Sequence, residues 1–159
     1  ANWKTYTNTT YGFSLKYPGS VKLKEYSPGY VMLIKDKDEE YSSVSIILFS
    51  SENPDGLSRR YFYAKQRNSN LEEIRPHLNI QELFLGQNKA LRIIHSDKIF
   101  TLSSIDHKTS YLIANGKIMH ELLTFEYAGI FNGESTDIVR TEADTELIQK
   151  ILSTFKLEK

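Results

Sequence analysis

Cysteine does not occur in the 159 residues, which excludes disulfides, thiolate metal sites and cysteine nucleophiles. Net charge is missing too, because 20 basic residues are balanced by 20 acidic ones. A general nucleic-acid binder needs a basic surface or stripe to release counterions from phosphates, so that class is set aside. No run approaches the roughly 18 apolar residues of a membrane-spanning helix, and no signal peptide is visible. The catalytic motifs are absent as well: no Gly-x-Ser-x-Gly elbow, no Ser-x-x-Lys, no phosphate-cradling glycine loop, no His-Glu-x-x-His helix. Acidic pairs such as Glu39/Glu40 and Glu72/Glu73 are adjacent and diverge, whereas acid–base work needs carboxylates that face one cleft. Nothing in the sequence implies a cofactor.

What is present is the material of a globule: 40% hydrophobic and 25% charged residues, in a length that fits one domain over residues 1–159. The organising stretch is Tyr11-Gly12-Phe13-Ser14-Leu15-Lys16-Tyr17-Pro18. Its period of two sets Tyr11, Phe13, Leu15 and Tyr17 on one side, the pattern of a half-buried strand. Pro18 lacks the donor a ladder needs, and Gly19-Ser20 end the strand there. Val21–Tyr26 alternates weakly and turns at Ser27-Pro28-Gly29. Tyr30–Ile34 is continuously apolar, as in a strand covered on both faces. Lys35–Glu40 reads as a solvated connection. It has the acidity of a calcium loop but not the glycine at the sixth position or the glutamate at the twelfth. Ser43–Phe49 returns, with Val44, Ile46 and Leu48 on one side and Ile47 and Phe49 on the other.

Asn53-Pro54 reads as a helix start, with Leu57, Tyr61 and Ala64 as its apolar stripe. Leu71–Ile74 adds a turn before Pro76. Strands are expected over Ile80–Leu85, Ala90–Ser96 and Lys98–Ile105. Asn115-Gly116 between two apolar runs suits a type I′ hairpin, which would set Ala114 opposite Lys117, Ile113 opposite Ile118 and Tyr111 opposite His120. Residues 128–140 read as the longest loop. Thr141 with Asp144 forms a capping box that opens a helix whose stripe is Leu147, Ile148, Ile151, Leu152 and Phe155. The simplest body that buries all of this is α+β: one antiparallel β-sheet with helices on its faces.

Two stretches also carry a family resemblance. Trp3-Lys4-Thr5-Tyr6 followed by Tyr-Gly-Phe-Ser-x-x-Tyr-Pro resembles the entry to PsbP-like (Mog1/PsbP-fold) domains of bacterial secreted proteins and lipoproteins. The closing segment Ile148–Lys156 is similar to that family's last helix. Many relatives have an aromatic after Tyr-Pro, where this chain has Gly19-Ser20-Val21. The resemblance implies an α/β/α sandwich and brings no catalytic or ligand-binding signature. It also implies an extracytoplasmic address, secreted or lipid-anchored, with the leader upstream of this chain.

Candidate chemistry is sparse. His95 and Asp97, two apart at a strand end, point one way. His120 lies in an apolar row, with Tyr111 expected opposite. Three or four converging ligands would be needed for a metal, and only pairs are visible, so no metal site is assigned. Trp3 and Tyr6 head the aromatics Tyr11, Tyr26, Tyr30 and Tyr41 that crowd the first quarter of the chain. Most are expected in the core, and those that surface can dock a protein or stack on a sugar. The candidate binding residues are therefore Trp3, Tyr6, His95, Asp97, Tyr111 and His120. The expected function is a non-enzymatic protein-binding or assembly module. The alternatives are a module for cell-envelope carbohydrate or another small ligand and, behind it, a metal-assisted enzyme with a dispersed site.

Overall fold

Nearly every alternating stretch forms pleated strand in the computed structural model, which describes residues 2–35, 44–66, 78–95, 108–125, 130–131, 134–135 and 141–158. Strand β1 (Trp3–Asn8) pairs antiparallel with β2 (Phe13–Pro18). Then come β3 (Lys22–Ser27), β4 (Tyr30–Ile34) and β5 (Ser45–Glu52), helix α1 (Arg59–Gln66), and strands β6 (Leu78–Leu85), β7 (Asn88–His95), β8 (Lys108–Asn115) and β9 (Ile118–Phe125). A two-residue pair, β10 (Ile130–Phe131) with β11 (Glu134–Ser135), precedes helix α2 (Glu142–Ser153) and strand β12 (Lys156–Leu157). Strands β3 to β9 make a seven-stranded sheet in the order β3-β4-β5-β9-β8-β7-β6, antiparallel throughout.

The register divides this sheet into two faces. Val31, Leu48, Leu122 and Tyr111 lie in one row, and they join a core shared with Phe13 and Leu15 of β2 and with Ile148, Ile151, Leu152 and Phe155. On the opposite face Leu91, Ile93, Leu112 and Met119 pack against Phe62 and Tyr63 of α1. Full burial of a side chain such as Leu48 or Ile151 contributes about 1.5–3 kcal/mol, and both are 0–1% exposed.

The expected antiparallel pairing holds, but the single sheet is corrected. Strands β1, β2 and β12 form a second, three-stranded sheet, which shares one face of the large sheet with α2. Strand β2 buries Phe13 and Leu15 but exposes Lys16, so it suits a layer covered on one side only. The C-terminal residues close this layer, with Lys156 opposite Ser14 and Leu157 opposite Phe13.

Helix α2 starts as its sequence dictates. The Asp144 amide donates to Thr141 Oγ1 and the Thr141 amide to the Asp144 carboxylate, and Asp144 also meets Lys35 Nζ at 2.6 Å. Helix α1 begins at Arg59, later than expected. Asn53 clamps the Leu57 peptide on both sides at 2.9 Å instead of capping a helix. Its buried face is Phe62, Tyr63 and Ala64, and Tyr61, expected inside, is exposed.

The Asn115-Gly116 hairpin is also corrected. Asn115 pairs with Ile118, so Gly116-Lys117 is the loop and Tyr111 stands opposite Leu122, with Ile113 opposite His120. The turn at Gly86-Gln87 matches it: Leu85 pairs with Asn88, and Gly86 and Gly116 have φ of +59° and +58°. The expected connection over 36–40, the turn at 71–74 and the strand over 98–105 lie outside the described residues, as does Asp97.

Candidate functional site

Of the six residues singled out above, Asp97 lies outside the described residues, and the other five are spread over strands β1, β7, β8 and β9. Trp3 is 39% exposed at the start of β1, an edge strand of the small sheet. Tyr6 is half-buried; its hydroxyl donates to Glu25 at 2.6 Å and accepts from Asn8 Nδ2 at 3.1 Å. Burial, and after it the bond to Glu25, pushes the phenol up to about 12, so it stays protonated. Tyr111 is buried, and its hydroxyl accepts from Gln149 Nε2 at 3.3 Å. His95 pairs with Lys108, whereas His120 pairs with Ile113. Those two positions on β8 are five residues apart, about 17 Å at strand rise, too far for a shared metal ion. Among the described residues no group of three or more His, Asp or Glu converges as a metal would require.

His120 is fully enclosed. Its Nδ1 lies 2.9 Å from Ser50 Oγ, and Phe13 and Phe155 approach it edge-on at 5.3 and 5.5 Å. Nε2 is buried without a partner. Burial pulls its pKa from 6.5 down to about 4, so the ring is neutral at pH 7. This is a core histidine that ties the two layers together. It is not open to a substrate.

The described surface includes two concavities. One of about 600 Å³ lies between the Gly86-Gln87 turn and residues 153–158, and one of about 290 Å³ lies between the end of β5 and α1. In the first Lys156 pairs with Glu158 at 3.5 Å, and in the second Lys65 pairs with Asp55 at 3.0 Å, with Glu52 also on the rim.

The surface feature with distinct geometry is elsewhere, on the α1 side of the large sheet over β3, β4 and β5. Tyr26, Tyr30 and Phe49 stack across the three strands with ring centroids 4.8 and 4.9 Å apart and planes 20° from parallel. Lys24 Nζ sits 4.7 Å from the Tyr26 centroid. Tyr26 is 45% and Phe49 37% exposed. This part of the face is beyond α1, which packs on β6 to β9. The double coverage expected for Tyr30–Ile34 is accordingly corrected: Val31, Leu33 and Ile34 are buried, while Tyr30 and Met32 are half-open. Because Tyr30 has a ring on each side, the ladder turns ring edges outward, with most of its faces already covered.

No family model matches the chain, and no curated protein matches it in sequence. Solved structures do match in shape. A protein from Bacteroides thetaiotaomicron VPI-5482 aligns with 98% of this chain at 15% identity and a TM-score of 0.53; the chain spans 48% of that protein. Cyanobacterial PsbP (CyanoP) from Synechocystis sp. PCC 6803 aligns with 99% of this chain and 93% of its own, at 16% identity and a TM-score of 0.54. The fold is PsbP-like. LpqN, involved in cell envelope biogenesis of Mycobacterium tuberculosis, aligns with 99% of the chain and 91% of its own at 14% identity, with a TM-score of 0.49.

Within this PsbP-like fold the ladder was only partly visible in the sequence. Tyr26 and Tyr30 stood out among aromatics of which most were expected in the core, with nothing to single out those that surface, and Phe49 was placed only on the second side of its strand. The signal that finds them is the coincidence of apolar residues on the outward side of two neighbouring strands, Tyr30 and Met32 beside Ile47 and Phe49.

Proposed function

We propose that the chain is a non-enzymatic, extracytoplasmic binding module, one domain, that docks a protein partner along the Tyr26–Tyr30–Phe49 ladder. The observation that carries this reading is the stacking itself. A sugar binds an aromatic by lying on its open face, and here Tyr30 has both faces covered and Tyr26 has Tyr30 on one side with an ammonium over its ring. What remains is a ridge of ring edges with apolar neighbours, a surface that packs well against protein side chains. Aromatic rings held in a ladder lose little further freedom on binding, which favours affinity. The resemblance to secreted PsbP-like domains supports the address. No helix among the described residues is long and apolar enough to cross a membrane.

The test is a photo-reactive phenylalanine analogue placed at position 49 of the protein in its native cell, with position 61 on α1, which is 62% exposed against 37%, as a more accessible control. A discrete protein adduct is expected from position 49 only, lost when Tyr30 is replaced by Ser. Adducts with glycan, or the same protein adducts from both positions, overturn the reading.

A further inference from the structure

On the other face of the sheet, Gln81, Arg92 and Tyr111 occupy one row across β6, β7 and β8, and Gln149 of α2 reaches the Tyr111 hydroxyl. The row is rich in donors and poor in acceptors. A guanidinium offers five N–H groups and no acceptor. Arg92 spends Nη2 on the Gln81 amide oxygen, its Nε is buried without a partner, and no ion pair joins it to a carboxylate among the described residues. The Tyr111 hydroxyl accepts from Gln149, which leaves its own hydrogen unspent. Arg92 as a whole is half-buried while its Nε is closed to solvent, so an incoming group reaches that edge only by displacing the exposed Gln81 amide from Nη2.

We propose that Arg92, with Tyr111 beside it, forms a binding site for a carboxylate. Nε and Nη2 lie on the same edge of the guanidinium and match the two oxygens of a carboxylate, the strong bidentate arrangement. The incoming group takes Nη2 from the exposed Gln81 amide and supplies the acceptor that Nε lacks. The single positive charge of Arg92 balances one carboxylate and falls short of a phosphate dianion. This site is separate from the aromatic ladder and stands or falls without it.

The test follows the Arg92 side-chain Nε–H resonance of the whole protein by nitrogen–proton correlation spectroscopy. The probes are sodium acetate, a blocked peptide with a free C-terminal carboxylate, and the same peptide as its amide, each compared at equal ionic strength with sodium chloride. A saturable shift with acetate and peptide acid, absent with amide and chloride, is expected. Tighter binding of the peptide acid than of acetate identifies a protein terminus as the source, and equal binding identifies a small free acid. Arg92→Lys should weaken binding at least tenfold and Tyr111→Phe about fivefold. No saturable shift in the wild-type protein, or the same shift with chloride, overturns the proposal, and this readout needs no variant to fold.

Discussion

Replacing His120 by Gln should remove a large acid sensitivity from the fold. The wild-type ring is wedged between Phe13 and Phe155 with Ser50 as its partner, and its Nε2 meets no acceptor. Whichever nitrogen holds the single proton of the neutral ring, the imidazolium would hold two, and one would point at apolar surroundings. The folded protein therefore resists protonation until about pH 4, whereas the unfolded chain takes up the proton near pH 6.5. Between those values the unfolded state binds more protons, so stability falls as the pH falls, and above pH 7 the group contributes no slope. At about 1.4 kcal/mol per pH unit the whole window amounts to roughly 3 kcal/mol, a large share of the 5–15 kcal/mol typical of a domain.

Urea unfolding at pH 7.5 and 4.5 measures it. The wild type should lose roughly 2.5 kcal/mol more than His120→Gln across that interval. The other three histidines are common to both proteins, so the difference isolates position 120. Parallel losses in the two proteins would refute the reasoning. So would a His120 ring that titrates near pH 6.5 in the folded wild type, which nuclear magnetic resonance reads without any substitution.

Asp144 should dominate a lower window. Burial alone would raise its pKa, but the bonds from Lys35 and Thr141 outweigh it and hold the carboxyl at about 2 against an ordinary 3.8. Its stabilisation, about 2 kcal/mol, is complete above pH 4 and lost as the pH falls through 2; Asp144→Asn should flatten that part of an acid titration followed by circular dichroism. Thr141→Ala, which deletes the cap, should cost about 1 kcal/mol in a urea melt at pH 7. Gly86 and Gly116 hold the same turn position, but a Cβ on Gly86 would lie 2.7 Å from the Ser153 carbonyl oxygen and one on Gly116 would meet nothing within 4 Å. Gly116→Ala should cost roughly 1–2 kcal/mol for its backbone alone and Gly86→Ala clearly more; equal melting temperatures would contradict the contact. Tyr30→Leu removes both stacking interactions of the ladder and Phe49→Leu one, so the first should lose about 1–2 kcal/mol and the second about half that, by thermal melts.

Local chemistry was legible in the sequence, and long-range pairing was not. The strand ending at Pro18 and the capped helix after Thr141 depend on residues within a few positions of one another, and both appear where the pattern placed them. The second sheet depends on Lys156 finding Ser14, a pairing no local window contains. The hairpin shows a finer limit. The expected pairing of Ala114 with Lys117 and the observed pairing with Met119 differ by two residues, and a shift of two returns every side chain to the same face. Hydrophobic alternation cannot choose between them. A contact from outside the hairpin favours the observed register: the Asn53 amide donates to the Lys117 carbonyl at 2.6 Å, with Lys117 in the loop.

The exposure of the ladder follows from a mismatch of lengths. Helix α1 has eight residues, about 12 Å of helix. Seven strands spaced about 4.8 Å apart make a sheet roughly 29 Å wide. Among the described elements only α1 packs on that face, and it is settled on β6 to β9 by Phe62 and Tyr63, so it cannot also reach β3. Yet β4 and β5 are apolar on both sides, with Met32 and Ile47 outward beside Tyr30 and Phe49. A sheet half that needed only solvation would carry polar residues there, as the outward side of β2 does at Lys16. The apolar outward row has instead organised itself, each ring covering the next. That limits the free area of the patch while leaving a ridge, the form in which a folded chain can present an aromatic contact surface without inviting indiscriminate association.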